Sequence, residues 1–182
     1  MKAFKHMKRR MLRAAVLGSI AAAAAAQAGA GEKVVLGGYQ DAAAGSQLLA
    51  GDYQGVIGRL ATHGFAYSQD EAAASTNLCV AYIMTKAWDA AHRECDLAIR
   101  LAHLSDFSDV SLAGRTSNAE RVALAYSNRA VLNWLEARPQ SAAQDIARAQ
   151  SLSPQASFVS QNLARLGNVS ARALPAVVAT KG

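Results

Sequence analysis

Asn77-Leu78-Cys79-Val80-Ala81-Tyr82, followed by Trp88, Ala91, Cys95 and Ala98, is written a second time as Asn128-Arg129-Ala130-Val131-Leu132-Asn133. The second copy continues with Pro139, Ala142, Ile146 and Ala149 and closes on Pro154. The small residues keep one offset, as two antiparallel helices packed backbone to backbone would require. A repeated helical pattern of this kind predicts stacked units, because one unit alone cannot bury its apolar face. Such arrays build surfaces for binding, so the repeat favours recognition over chemistry.

Helix signals extend the pattern in both directions. Ser68-Gln69-Asp70-Glu71 and Ser117-Asn118-Ala119-Glu120 are Ser-x-x-Glu capping boxes, in which serine and glutamate satisfy amides at a helix start. They predict helices over about 70–85 and 88–104 in the first copy, and over about 118–137 and 139–151 in the second. Upstream, residues 40–50, the turn Gly51-Asp52-Tyr53 and residues 54–63 read as helix, tight turn and helix, with Gly51 and Gly64 suited to the left-handed position that ends a helix. Gly55 and Gly58 weaken the second of these by about 1 kcal/mol each relative to alanine. Residues 31–39 are short, Gly-rich and read as an irregular connector. Downstream, Ser153-Pro154 resembles an N-cap with proline in the first turn, predicting a last helix over about 154–166 that Gly167 stops. Residues 168–182 show no amphipathic period and read as a disordered tail.

Over about 41–166 the chain resembles the tetratricopeptide repeat family. Leu78, Tyr82, Ala91 and Ala98 stand where that family has Leu, Tyr, Ala and Ala, while Cys79 replaces its Gly and Cys95 its aromatic. In the second copy Tyr126 takes the leading aromatic place, Ala130 the small one, Ala142 and Ala149 the close contacts, Ile146 the large one and Pro154 the terminal proline. Arg129 and Asn133 depart from the pattern, where Leu and Tyr are usual. Asn77 and Asn128 are 51 residues apart, against a family period of about 34. The surplus falls in a polar stretch at about 105–117, which reads as an inserted loop, either a solvated connector or a functional edge. The resemblance implies an all-α, right-handed α-solenoid of about three antiparallel helix pairs with a C-terminal capping helix, within residues 40–167.

The charge of the chain lies at one end. Residues 1–30 hold Lys2, Lys5, Lys8, Arg9, Arg10 and Arg13 and no acid, then an apolar run from Ala14 to Ala26 and the small residues around Ala28 and Ala30. That order predicts a signal peptide cleaved after Ala28 or Ala30, with the secretory and twin-arginine routes both open. Met7 and Met11 are alternative starts. Thirteen apolar residues fall short of the roughly 20 that span a bilayer, so stable membrane insertion after leader removal is not expected. The chain has 19 Lys and Arg against 13 Asp and Glu, and six of the basic residues belong to the leader. The remainder is formally neutral, which removes the basis for a nucleic-acid partner. The expected location is the periplasm.

Carried over by register, the family's concave groove comprises Thr76, Asn77, Val80, Ile83, Met84, Ser127, Asn128, Val131, Trp134 and Leu135. Asn77 and Asn128 fall where related proteins hydrogen-bond a peptide backbone; the competing role is to cap or brace neighbouring helices. The apolar members are either an open groove, whose aliphatic and aromatic anchors would supply binding energy, or core covered by the last helix or the N-terminal segment. If they are covered, the partner site lies elsewhere, the inserted loop included. The Lys and Arg residues of a carboxylate clamp are missing from these positions.

Cys79 and Cys95 stand at nearly mirrored distances from the turn at Lys86-Ala87 and should face each other, either as a disulfide or as two buried thiols. His92, Cys95 and Asp96 share a helical turn, but a zinc site needs three or four converging ligands and no second cluster supplies them. No nucleophile elbow, zinc-protease helix or phosphate loop occurs. The reading is an exported protein that binds a protein or peptide, an adaptor in the cell envelope, without cofactor or enzymatic activity. The alternatives are a small exported enzyme on a helical scaffold and a self-associating structural protein.

Overall fold

The computed structural model describes residues 33–63, 71–104 and 117–173. Within them the chain forms α1 (Gly45–Leu49), α2 (Tyr53–His63), α3 (Glu71–Met84), α4 (Trp88–Leu104), α5 (Asn118–Leu135), α6 (Pro139–Leu152) and α7 (Ser157–Ala173). The fold is all-helical, with no strand among the described residues. Each helix packs on its neighbour in sequence within the runs α1–α3 and α3–α7, and α7 lies against both α5 and α6. The expected leader, the capping serine Ser68, Gly64, residues 105–116 and the last nine residues lie outside the described residues.

One end device recurs three times. Gly51, Lys86 and Ala137 all adopt left-handed backbone, with φ of 74°, 59° and 56°. Their amides bond the carbonyls of Leu48, Ile83 and Trp134, and the next amides reach Gln47, Tyr82 and Asn133. This paired closure satisfies carbonyls that the helix end would orphan. Glycine suits the first site because it has no Cβ penalty there. Lys86 and Ala137 accept the strain because the same turn must start the next helix. Asp52 caps α2, its Oδ1 accepting the Gly55 amide at 2.8 Å, and Ser117 caps α5, its hydroxyl accepting the Glu120 amide at 3.2 Å.

The elements differ from the sequence expectation at both ends of the array. The helix expected over 40–50 contracts to Gly45–Leu49, because residues 39–42 form a turn and Ala44 caps α1 with φ 62°. Pro154 does not open α7. It sits second in a turn that the Ala156 amide closes on the Ser153 carbonyl at 3.2 Å, a position proline favours. The helix then runs through Gly167 to Ala173, taking in the first six residues expected as tail. A glycine costs a helix only about 1 kcal/mol, which flanking packing can offset.

Small residues make the close contacts. Ala91, Ala98, Ala130, Ala142 and Ala149 are buried, as the repeat pattern requires. Cys79 of α3 and Cys95 of α4 stand at disulfide distance, S–S 2.09 Å and Cα–Cα 4.9 Å, among Ile83, Ala91 and Leu132. Ala130 and Ile146, the same two positions 51 residues on, share an apolar cluster with Val159 and Leu166 of α7.

The two departures from the repeat pattern explain each other. Arg129 Nε and Nη2 donate to both oxygens of Asp145 on α6, at 2.9 and 2.6 Å, and its Nη1 donates to Asp96 on α4 at 2.7 Å. Asn133 Nδ2 donates to Asp145 at 2.9 Å. The hydrogen bonds to Asp145 outweigh the burial and push the Arg129 pKa up, so the guanidinium stays charged. Arg129 thus ties α4, α5 and α6 together where the family pattern would place a leucine.

Candidate functional site

Residues 33–39, expected as a connector, lie extended across three helices. Extended backbone points the N–H and C=O of one residue to the same side. An asparagine amide matches that pair, offering one acceptor and one donor in a plane. The array supplies one asparagine per contact. Asn162 Oδ1 of α7 accepts the Val35 amide at 2.7 Å, and its Nδ2 donates to the Val35 carbonyl at 2.8 Å. Asn128 of α5 treats Gly37 in the same way at 3.0 and 2.8 Å, and Asn77 of α3 treats Tyr39 at 2.7 and 2.9 Å. Alternate residues of the strand are therefore read by alternate helices, in the order α7, α5, α3.

The intervening side chains meet the helices. Val34 packs on the cluster that contains Ala123, Ile146, Val159 and Leu166, and Leu36 packs on the cluster of Cys79, Ile83 and Leu132. Gly38 is required by proximity, since a Cβ there would lie 2.2 Å from Leu48 Cδ2 and 2.7 Å from Asn77 Oδ1. Arg121 stands over the Tyr39 ring at 6.0 Å. The site reads backbone at residues 35, 37 and 39 and side-chain size at residues 34, 36 and 38.

All three asparagines are fully buried, and two are held by further bonds. Asn162 Nδ2 donates to Ser127 Oγ at 2.9 Å, and Asn77 Nδ2 donates to the Ala43 carbonyl at 3.2 Å. Of the residues assigned to the groove from sequence, Asn77 and Asn128 touch the strand directly, Ser127 supports Asn162, and Ile83 lies in the cluster beneath Leu36. Thr76 turns inward and donates to the Ala72 carbonyl of its own helix at 2.8 Å. Val80 and Val131 are buried. Trp134 packs partly buried beside α7, with the Arg165 guanidinium 5.4 Å above its ring. Met84 and Leu135 are exposed.

Asn162 escapes the sequence reading, although it lies 34 residues after Asn128. Asn162-Leu163-Ala164 also repeats the opening of the first copy, Asn-Leu-small.

The His92, Cys95 and Asp96 side chains turn to separate partners. His92 Nε2 faces the Glu136 carboxylate and lies 3.1 Å from Arg138 Nη1, while Asp96 binds Arg129, so the two do not converge on a common point. Among the described residues no three His, Cys, Asp or Glu side chains gather as a metal would need, and no helix is long and apolar enough to cross a membrane. The cysteine pair is compatible with an exported protein. Comparison with protein-family models, curated proteins and solved structures finds no match to this chain.

Proposed function

We propose that the chain is an exported tetratricopeptide-type protein, a right-handed α-solenoid of antiparallel pairs, that binds an extended segment of a partner protein along its asparagine ladder. The observation that carries this reading is the bidentate hold of Asn77, Asn128 and Asn162 on alternate backbone residues of an extended strand. Such a hold is indifferent to most side chains and selects conformation, as strand-addition recognition does. The Cys79–Cys95 contact, with Ala72 and Ala102 in one apolar cluster and Tyr82 and Trp88 packed on another, supports an antiparallel α3–α4 pair. The protein acts without catalysis, as an adaptor in the periplasm after the leader is removed.

The occupancy of the ladder by the chain's own strand favours a second reading, in which the ladder is a permanent brace and the partner binds elsewhere. Crosslinking in the envelope of exporting cells, followed by mass spectrometry, separates the two. Under the ladder reading, partner peptides crosslink near α5 and α7 in the wild type and disappear in Asn128→Ala/Asn162→Ala. Crosslinks that persist unchanged in a folded double variant would overturn it and leave the brace.

A further inference from the structure

Each of the three contacts is bidentate, and the Tyr39 end carries one further anchor. Asn77 Nδ2 reaches the carbonyls of both Tyr39 and Ala43, pinning the turn that leads into α1. A Cβ on Gly45 would stand 2.2 Å from the Gln40 carbonyl oxygen and 2.4 Å from that of Tyr39, so α1 is seated on this turn. At the other end the holds are two asparagine amides and the apolar seats of Val34 and Leu36. Val35 and Gly37 are held by Asn162 and Asn128, Val34 and Leu36 are only partly buried, and Lys33 is exposed. Gly37 and Gly38 separate the two ends, and adjacent glycines let backbone pivot at little conformational cost.

We infer that residues 33–37 are a displaceable plug, and that the place they fill on α5 and α7 receives an extended, uncharged segment of a partner polypeptide. This rests on the ladder reading above and adds which part of the groove exchanges. The partner's chemistry follows from the plug it replaces. It has free amides at the two residues that meet Asn162 and Asn128, which excludes proline there. It has aliphatic side chains at the places of Val34 and Leu36, where the floor is Val159 and Leu166 at one seat and Ile83 and Leu132 at the other. When the plug leaves, Ser127 still accepts from Asn162, so one amide stays aimed for the incoming strand.

An identical strand from a second copy is the weaker occupant. The tethered plug competes at an effective concentration on the order of millimolar or above, and an identical segment in trans offers no contact to offset that advantage. The partner segment is therefore longer than the plug and adds contacts beyond it.

The probe is a fluorescein-labelled peptide, Lys-Val-Val-Leu-Gly-Gly, titrated by anisotropy into the full chain. Wild type binds it weakly, and Leu36→Asp, which loosens the plug, binds it at least tenfold more tightly. Adding Asn162→Ala to Leu36→Asp, or N-methylating the peptide at the second valine, removes that gain. Equal affinity in wild type and folded Leu36→Asp overturns the plug. Amide exchange on the wild-type chain serves where the variant fails to fold: Val35 and Gly37 exchange at least tenfold faster than Tyr39, and equal protection of the three overturns the proposal. A concentration-dependent dimer by light scattering, lost in Leu36→Asp, makes a second copy the occupant and overturns the partner. Peptide binding that ignores both N-methylation and Asn162→Ala defeats the ladder reading itself, whereas binding sensitive to both with equal exchange rates defeats only the plug.

Discussion

The pairs α3–α4 and α5–α6 carry one pattern 51 residues apart and are fastened by different chemistry. In the first pair the crossing point holds Cys79 and Cys95 at bonding distance, and in the second the same positions are Ala130 and Ile146 in plain apolar contact. Where the first pair has Leu78 and Tyr82, the second has Arg129 and Asn133 closing on Asp145. Even the acid repeats: Glu94 and Asp145 occupy one register, but Glu94 accepts from the Ser75 hydroxyl whereas Asp145 accepts from the Arg129 guanidinium. The scaffold therefore fixes where a fastening is needed and leaves open which bond supplies it. A covalent link and an ion network are alternative answers to the same packing geometry.

The largest expected effect comes from breaking the ionic fastening on one side. Arg129→Leu restores the residue that the repeat pattern favours and yet destabilises the fold by about 3–5 kcal/mol, because Asp145 is left buried without its cation. The check is urea denaturation. Arg129→Leu/Asn133→Tyr/Asp145→Leu, which rebuilds the second pair in apolar form, recovers most of that loss. If Arg129→Leu alone proves neutral, the two fastenings are not equivalent and the comparison fails.

That network shows what the sequence could and could not convey. The repeat, the left-handed turn at Gly51 and the alanine contacts were legible because local pattern and packing demand the same residues. Arg129 and Asn133 were visible only as departures, since their meaning depends on Asp145, 16 and 12 residues away on another helix. The short α1 was illegible for a similar reason: residues 39–43 have helical neighbours, but Asn77, 34 to 38 residues on, holds them in a turn. Of the ladder, Asn77 and Asn128 were readable by register, Asn162 was readable by its 34-residue spacing, and the strand they hold was not. Backbone recognition leaves little mark on side-chain identity, so residues 33–39 carry no pattern that announces a ligand.

The covalent fastening ranks next. Reducing the Cys79–Cys95 pair, whose members are 16 residues apart, costs about 3 kcal/mol on the loop-entropy account. Intact protein from its native compartment has no thiol open to alkylation before reduction, and recovery of two thiols would refute the link. Cys79→Ala/Cys95→Ile copies the second pair's solution and retains more stability than Cys79→Ala/Cys95→Ala, measured by thermal unfolding. A smaller difference separates two of the three ladder asparagines. Asn77→Ala destabilises more than Asn128→Ala by about 1 kcal/mol, because it also releases the Ala43 carbonyl. Equal losses would mean that the turn into α1 needs no such pin.

The smallest effect is the most diagnostic, because its sign differs between the pairs. Burial pushes the Glu94 carboxyl above its usual pKa, against the lowering influence of the Ser75 hydroxyl and of Arg93. The folded state then keeps a proton that the unfolded chain has already released. Between the unfolded and the folded pKa, stability falls as pH rises, and above the folded pKa the penalty stays constant. Glu94→Gln removes this dependence and stabilises the protein at pH 7 by up to about 0.5 kcal/mol, as befits a half-exposed site. Asp145→Asn, the matching change in the other pair, destabilises at the same pH because it strips Arg129 of its bidentate acceptor. Denaturation midpoints of both variants across pH 4–8 decide the matter. Should Glu94→Gln also destabilise at neutral pH, the Ser75 contact is a true fastening and the first pair carries a polar link in addition to its cysteines.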